Sequence, residues 1–292
     1  MINPLVYIIL LNYKGYQLTK ECLESLKLVD YDNFKVIVVD NESNDGSFEK
    51  LIEEYGEYAI MLPAGGNNGF SAGNNVGIKY ALENGADYVM LLNNDTEVES
   101  DFLTKMLLKA DENTAVIPCI YYYSDKKDIW AANTYINYNK CICENGNPDE
   151  DSYCDYMCGC CVLMPRKMLE EVGLWAEEYF MYYEDMDYSL RVTRANFKIY
   201  YKHDAKIYHK VGKSSGIGSR LSIYYNVRNR FYIMKKYRFG VKAYLFSLIT
   251  RYIRYFQGIL KNTNEKVTLK AIKDFKKGKM GKQDSWMIKK KH

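Results

Sequence analysis

The chain has 292 residues, enough for one large domain or two modest ones with a sizeable core. Its 48% hydrophobic and 26% charged residues are ordinary for a soluble globular protein, and no segment approaches the roughly 20 apolar residues that span a bilayer. The net charge of +3 conceals an asymmetry: Arg251 to His292 carries 13 Lys/Arg against 3 Asp/Glu, and the remainder sums to −7. Such a basic end suggests an anionic surface, either membrane or nucleic acid. Residues 6–11 are apolar but short and lack a basic leader, so no signal peptide is expected. A cytosolic chain follows, with its eight cysteines reduced.

The first hundred residues alternate strand and helix signals. Residues 5–11 are a continuous apolar run and read as a buried strand. Residues 19–28 carry Cys22, Leu23 and Leu26 at helical spacing. A second strand is expected over 35–39, a helix over 47–55, and a third strand over 58–62, closed by Pro63. A helix over 71–83 stops at Asn84-Gly85, and 88–92 is a fourth strand. This order predicts a mostly parallel sheet covered by helices on both faces. Residues 115–123 read as another strand, 125–151 as loop, and 162–165 as the end of a strand. A helix over 167–172 stops at Gly173, 188–195 is helical, and 197–201 is a strand. From about Ile217 the chain reads as helices, with segments at 222–237 and 241–260. The expected division is a catalytic unit over 1–216 and a basic helical extension over 217–292.

Ligands of open parallel sheets bind beyond the carboxyl ends of the strands, and polar clusters fall there. Asn12-Tyr13 follows the first strand. Asp40-Asn41-Glu42-Ser43 follows the second, Gly65-Gly66-Asn67-Asn68-Gly69 the third, and Asn93-Asn94-Asp95 the fourth. Each alone is ordinary turn chemistry; together they outline a nucleotide-sized crevice. Asp40 can accept the N3–H of uracil or thymine, or bind a ribose hydroxyl. Asp95 suits Mg²⁺ or Mn²⁺ shared with a diphosphate. His209, one of three histidines, follows an apolar strand at 205–208 and precedes a glycine-serine loop; it is a candidate Mn²⁺ ligand or a structural histidine.

Glu184, Asp185 and Asp187 lie within four residues, among aromatic and apolar side chains. Clustered carboxylates raise one another's pKa, so one of them is a candidate general base; the alternative is an exposed helix start. Six cysteines lie between Cys141 and Cys161, without a clean pair of C-x2-C knuckles. Cys158, Cys160 and Cys161 alternate like a buried strand, which favours core packing over zinc. Residues 241–260 mix Tyr, Phe, Leu and Ile with Arg251 and Arg254, a composition that fits a membrane interface or a helix packed on the catalytic unit.

Taken together, these segments resemble the inverting family 2 glycosyltransferases of GT-A fold, and within them the bacterial rhamnosyltransferase and galactofuranosyltransferase branch. The resemblance rests on Val36 to Ser47, on Asn67-Asn68-Gly69-Phe70-Ser71-Ala72-Gly73-Asn74-Asn75, and on Leu91-Leu92-Asn93-Asn94-Asp95. It continues through Gly159 to Arg166, Gly173-Leu174-Trp175 and Glu184-Asp185-Met186-Asp187. It departs from the branch in having one carboxylate at the metal motif and Trp175-Ala176-Glu177-Glu178 after the glycine. The resemblance implies a dTDP- or UDP-linked donor sugar held by Asn12, Asp40, Asn41, Ser43, Asn68, Gly69, Asn74 and Asn94. It implies a Mg²⁺ or Mn²⁺ ion on Asp95 and His209, and Asp185 as general base supported by Glu184. Trp175 and Asp187 would contact the acceptor, and Arg228 and Arg230 would pair with phosphate. The implied acceptor is a glycan or lipid-linked oligosaccharide at the inner face of the cell membrane, with the basic aromatic C-terminus on that surface and no nucleic-acid partner. Two other readings are a nucleotidyltransferase, which lacks its basic glycine-rich loop here, and a non-catalytic glycan- or membrane-binding relative.

Overall fold

The computed structural model describes residues 3–211 and 218–283. Most of the predicted glycine-serine loop and the lysines at 289–291 lie outside the described residues. Twelve strands are present among the described residues: β1 (Val6–Asn12), β2 (Phe34–Asp40), β3 (Ala59–Pro63), β4 (Tyr88–Asn93), β5 (Thr96–Val98), β6 (Thr114–Tyr122), β7 (Ile129–Ala131), β8 (Thr134–Asn137), β9 (Ile142–Asn145), β10 (Ser152–Cys154), β11 (Cys161–Pro165) and β12 (Lys198–His209). The α-helices are α1 (Tyr16–Leu26), α2 (Ser47–Tyr55), α3 (Phe70–Glu83), α4 (Phe102–Leu107), α5 (Arg166–Val172), α6 (Glu184–Arg194), α7 (Arg220–Lys236), α8 (Val241–Leu260) and α9 (Thr268–Lys276).

The main sheet runs β10-β12-β6-β11-β4-β1-β2-β3. From β12 to β3 every strand points the same way except β11, which lies antiparallel to both β4 and β6. Alternation along β1 shows why both faces are covered. Tyr7 and Ile9 enter one core with Ile78 of α3, Met168 of α5 and Tyr188 of α6. Val6, Ile8 and Leu10 enter the other with Leu23 of α1, Leu51 of α2 and Phe102 of α4. On the first of these faces α3 lies close on β1: a Cβ at Gly73 would fall 2.4 Å from Leu11 Cδ1, so a larger residue would displace that side chain. Cys160 and Cys161 pack in the second core, while Cys141 packs in a third.

That third core joins the C-terminal helices to α6. Phe180, Met186 and Leu190 pack against Tyr224, Tyr225, Phe231 and Met234 of α7 and Ile272 of α9. The expected strand over 197–201 is longer, because β12 continues past an irregularity between Lys202 and Lys206 to His209 and absorbs the second apolar stretch. The expected loop over 125–151 contains β7, β8 and β9. No helix among the described residues is long and apolar enough to cross a membrane.

Candidate active site

Parallel register brings the polar strand ends to one rim. Asn12 sits opposite Asp40, and Leu11 opposite Asn93. A relay of hydrogen bonds then crosses the rim. Asn12 Nδ2 donates to Asp40 Oδ1 at 2.7 Å, Thr19 Oγ1 donates to Asn12 Oδ1 at 2.9 Å, and Asn94 Nδ2 donates to Thr19 Oγ1 at 2.8 Å. The Asp40 carboxylate also accepts from the Ser43 amide (2.9 Å) and hydroxyl (2.5 Å). Asn12 is fully buried and Ser43 nearly so, and their side chains set the Asp40 carboxylate. Asn74 is buried, with its amide on the Phe70 carbonyl. Asn41 remains open to a ligand, since its Oδ1 is buried without a protein partner among the described residues.

β5 folds back on β12 and places Thr96 opposite His209. Asp95 and His209 thereby meet, with His209 Nε2 3.0 Å from Asp95 Oδ1. Both are buried, and the Trp130 ring packs edge-on against the imidazole. His209 Nδ1 has no partner among the described residues, an orphan that points to a group the chain does not supply. A carboxylate oxygen and an imidazole nitrogen fit Mn²⁺ or Mg²⁺ when a diphosphate and water complete the shell. A second group, Asp151, His203 and Asp204, has ligand atoms within 4.8 Å of one another. Lys202 already bonds both of its carboxylates there.

The acidic segment enters α6 through strained backbone. Phe180, Tyr182 and Tyr183 all have positive φ, at 67°, 66° and 74°. Asn229 of α7 holds this turn by donating to the carbonyls of Tyr179, Met181 and Tyr182 at 3.1, 2.9 and 2.8 Å. The turn also touches the donor side: Phe70 N donates to Phe180 O at 2.8 Å, and Asn41 Nδ2 reaches Gly69 O at 3.4 Å. Gly69 has φ 101°, and a Cβ there would lie 2.2 Å from Phe180 O. On the other side, Asn93 N donates to Cys160 O. Thus the loops carrying Asp40, Gly69, Asp95 and Asp185 share one rim, with Asn68 exposed at its edge.

The three acids have different surroundings. Asp185 is half-buried and accepts from the Tyr156 hydroxyl at 2.5 Å and the Met186 amide at 2.8 Å. Burial raises its pKa, and these donors with the Gly159 amide oppose the rise. Glu184 is buried, and its Oε2 has no partner among the described residues. Burial first, and the Asp185 charge second, push its carboxyl well above the usual range. Asp187 is the third acid. It is fully buried and bound by Tyr179 (2.9 Å), Arg191 (3.0 Å), Lys236 (2.7 Å) and Tyr237 (2.8 Å), so it ties α6 to α7. Trp175 is 2% exposed and stacks on Tyr188 at 4.7 Å. Arg228, fully buried, bonds the carbonyls of Tyr179 and Gly281.

A family profile described as Glycosyl transferase family 2 matches residues 6–173, more than half of the chain. The chain belongs to glycosyl transferase family 2. It is a glycosyltransferase enzyme, and its solved structural neighbours have the GT-A fold. It is 27% identical over 233 residues to the dTDP-rhamnosyl transferase RfbF of Shigella flexneri, covering 74% of this chain and 77% of that one. It is 24% identical over 226 residues to an N-acetylglucosaminyl-diphospho-decaprenol L-rhamnosyltransferase of Mycobacterium tuberculosis, covering 66% and 72%. The mannosyltransferase PcManGT of Pyrobaculum calidifontis, solved with GDP-Man and Mn²⁺, superposes with TM-score 0.58 at 18% identity over 93% of this transferase and 74% of its own chain. Sequence reasoning missed Tyr156, Thr19 and Asn75. Asn75 exchanges hydrogen bonds with the Trp175 backbone and donates to Glu177. Its place in the glycine-rich segment was the available signal, whereas Tyr156 had none.

Proposed function

We propose that this transferase moves rhamnose from dTDP-rhamnose, with inversion, to a hydroxyl of a lipid-linked or cell-surface glycan. The observation that carries the reading is the seating of Asp185, a carboxylate kept ionisable by three donors, on the rim that also bears Asp40, Asp95 and His209. Asp40 recognises the pyrimidine or the ribose. Asp95 and His209 hold the divalent ion, which when bound stabilises the diphosphate leaving group. Asp185 takes the acceptor hydroxyl proton as the bond to the anomeric carbon forms from the opposite face, a contribution of roughly 10²–10⁴-fold. Glu184, neutral, limits repulsion beside it. A UDP-linked hexose is the second reading, because uracil and thymine offer Asp40 the same N3–H. The names of the relatives favour rhamnose.

The catalytic unit over 1–216 carries this chemistry, and 217–292 supports it at the membrane. Val241, Leu245, Ile249, Tyr252, Ile253 and Phe256 form an exposed apolar stripe on α8, opposite its buried side. With the basic C-terminus this suits the anionic inner face of a membrane. Flotation with anionic vesicles, lost in an Ile249→Asp, Ile253→Asp variant, tests that placement.

Calorimetry with dTDP, UDP, GDP and CDP, with Mn²⁺ and then with EDTA, tests the donor site. Metal-dependent binding of dTDP or UDP that Asp95→Ala abolishes is expected. Absence of binding to every nucleotide sinks the transferase mechanism proposed here.

A further inference from the structure

Arg251 is a buried cation whose Nε has no partner among the described residues. It lies on the inner side of α8, 9% exposed, and makes no hydrogen bond or ion pair among the described residues. Glu265, the carboxylate that acts on it, is outside ion-pair reach. A second arginine faces the same seam. Ser247, one turn before Arg251, donates to Met234 Sδ at 3.5 Å, and Met234 lies one turn after Arg230 on α7. Arg230 is 5% exposed and packs 5.6 Å from the Phe246 ring; it donates to the Lys140 carbonyl, while its Nε has no partner. Tyr183 is the tyrosine whose hydroxyl feels both guanidiniums, and the next residue is Glu184.

An uncompensated buried guanidinium is costly, and two beside each other more so. Folds keep such groups where a ligand supplies the missing charge. A single carboxylate would leave one positive charge over; a phosphate or diphosphate answers both, and guanidinium forks match its oxygens. Tyr183 directly precedes Glu184-Asp185, which puts this anion on the side of the acidic segment.

We infer that Arg230 and Arg251, with Tyr183, form a binding site for the phosphate oxygens of a lipid-linked acceptor. The inference rests on the transferase reading and extends it to the acceptor class.

The test uses the full chain with three probes: inorganic pyrophosphate, farnesyl diphosphate and farnesol. Calorimetry is run on the wild type, Arg251→Gln and Arg251→Lys, with dTDP or UDP plus Mn²⁺ as a parallel donor measurement. Farnesyl diphosphate should bind more tightly than pyrophosphate, and farnesol far more weakly than either. Arg251→Gln should weaken farnesyl diphosphate about tenfold or more, and Arg251→Lys less, with donor affinity unchanged. Because the free arginine is unpaired, Arg251→Gln should also melt no lower than the wild type; a structural arginine would lower the melting temperature. Equal binding by wild type and Arg251→Gln overturns the site. Pyrophosphate binding with no gain from the lipid overturns the acceptor assignment. Donor binding without any anion binding overturns this inference alone, whereas loss of donor binding in the wild type removes the transferase reading as well.

Discussion

The phenol of Tyr156 donates to Asp185 Oδ2 at 2.5 Å, across 29 residues of sequence. A hydroxyl so placed stabilises the ionised acid and so favours the base form. Tyr156→Phe keeps the ring and removes the donor. A hydrogen bond to a charged group contributes about 1.5–3 kcal/mol, equivalent to about 1–2 pH units. The Asp185 pKa rises without it, so the acid limb of the kcat profile should move to higher pH. An unmoved limb in pH–rate profiles would remove Tyr156 from the site.

Asp185→Asn should lower kcat by roughly 10²–10⁴-fold while leaving donor affinity in place. Glu184→Gln should be milder. Single-turnover rates beside donor titration separate the two, and the reverse order would make Glu184 the base.

Glu184→Gln has a second signature. The wild-type carboxyl has a folded pKa well above its unfolded value, by burial and then by Asp185. Below the unfolded pKa both states are protonated, and the acid imposes no ionisation penalty. As pH rises from the unfolded toward the folded pKa, the unfolded state sheds its proton first and the wild type loses stability. The melting-temperature advantage of Glu184→Gln should therefore grow as pH rises above the unfolded value of about 4.3. A pH-independent difference would mean that Glu184 is not held protonated.

Asn229→Ala should cost about 3 kcal/mol, because three carbonyls and the Arg228 Nε lose their buried partner together. Relaxation of the strained turn should lower kcat more than it changes donor affinity. Chemical denaturation and steady-state kinetics provide both readouts; a stability loss with kcat intact would confine Asn229 to packing.

Gly69→Ala combines a positive φ with a clash against Phe180 O, and should cost about 2 kcal/mol or more. Donor binding should fall as well, since this glycine couples the Asn41 loop to the acidic segment. A variant with wild-type melting and donor affinity would show that the two loops move independently.

Much of the rim was legible because turn residues follow apolar runs at strand ends. Asp40, Asn93 and Asp95 could be placed from that punctuation alone. The antiparallel insertion of β11 was not legible, since a short apolar run carries no direction. Helix α6 begins at Glu184 rather than Tyr188 because three residues with positive φ precede it, and no residue type there announces them. The buried settings of Asp187, Trp175 and Arg228 were not legible, because charge and aromaticity read alike whether buried or exposed. Their partners, Tyr237, Tyr188 and Gly281, come from other elements. Tyr156 was one of 29 tyrosines.

Arg228 bonds the carbonyls of Tyr179 and Gly281, and Gly281 N in turn donates to Glu178 O at 2.7 Å. A ribosome makes this protein from its first residue onward, so the nucleotide-facing half is complete long before residue 281 emerges. The acidic turn can take its final seat only after residue 281 has emerged. A chain cut between residues 260 and 281 should therefore fold around its sheet yet turn over no acceptor.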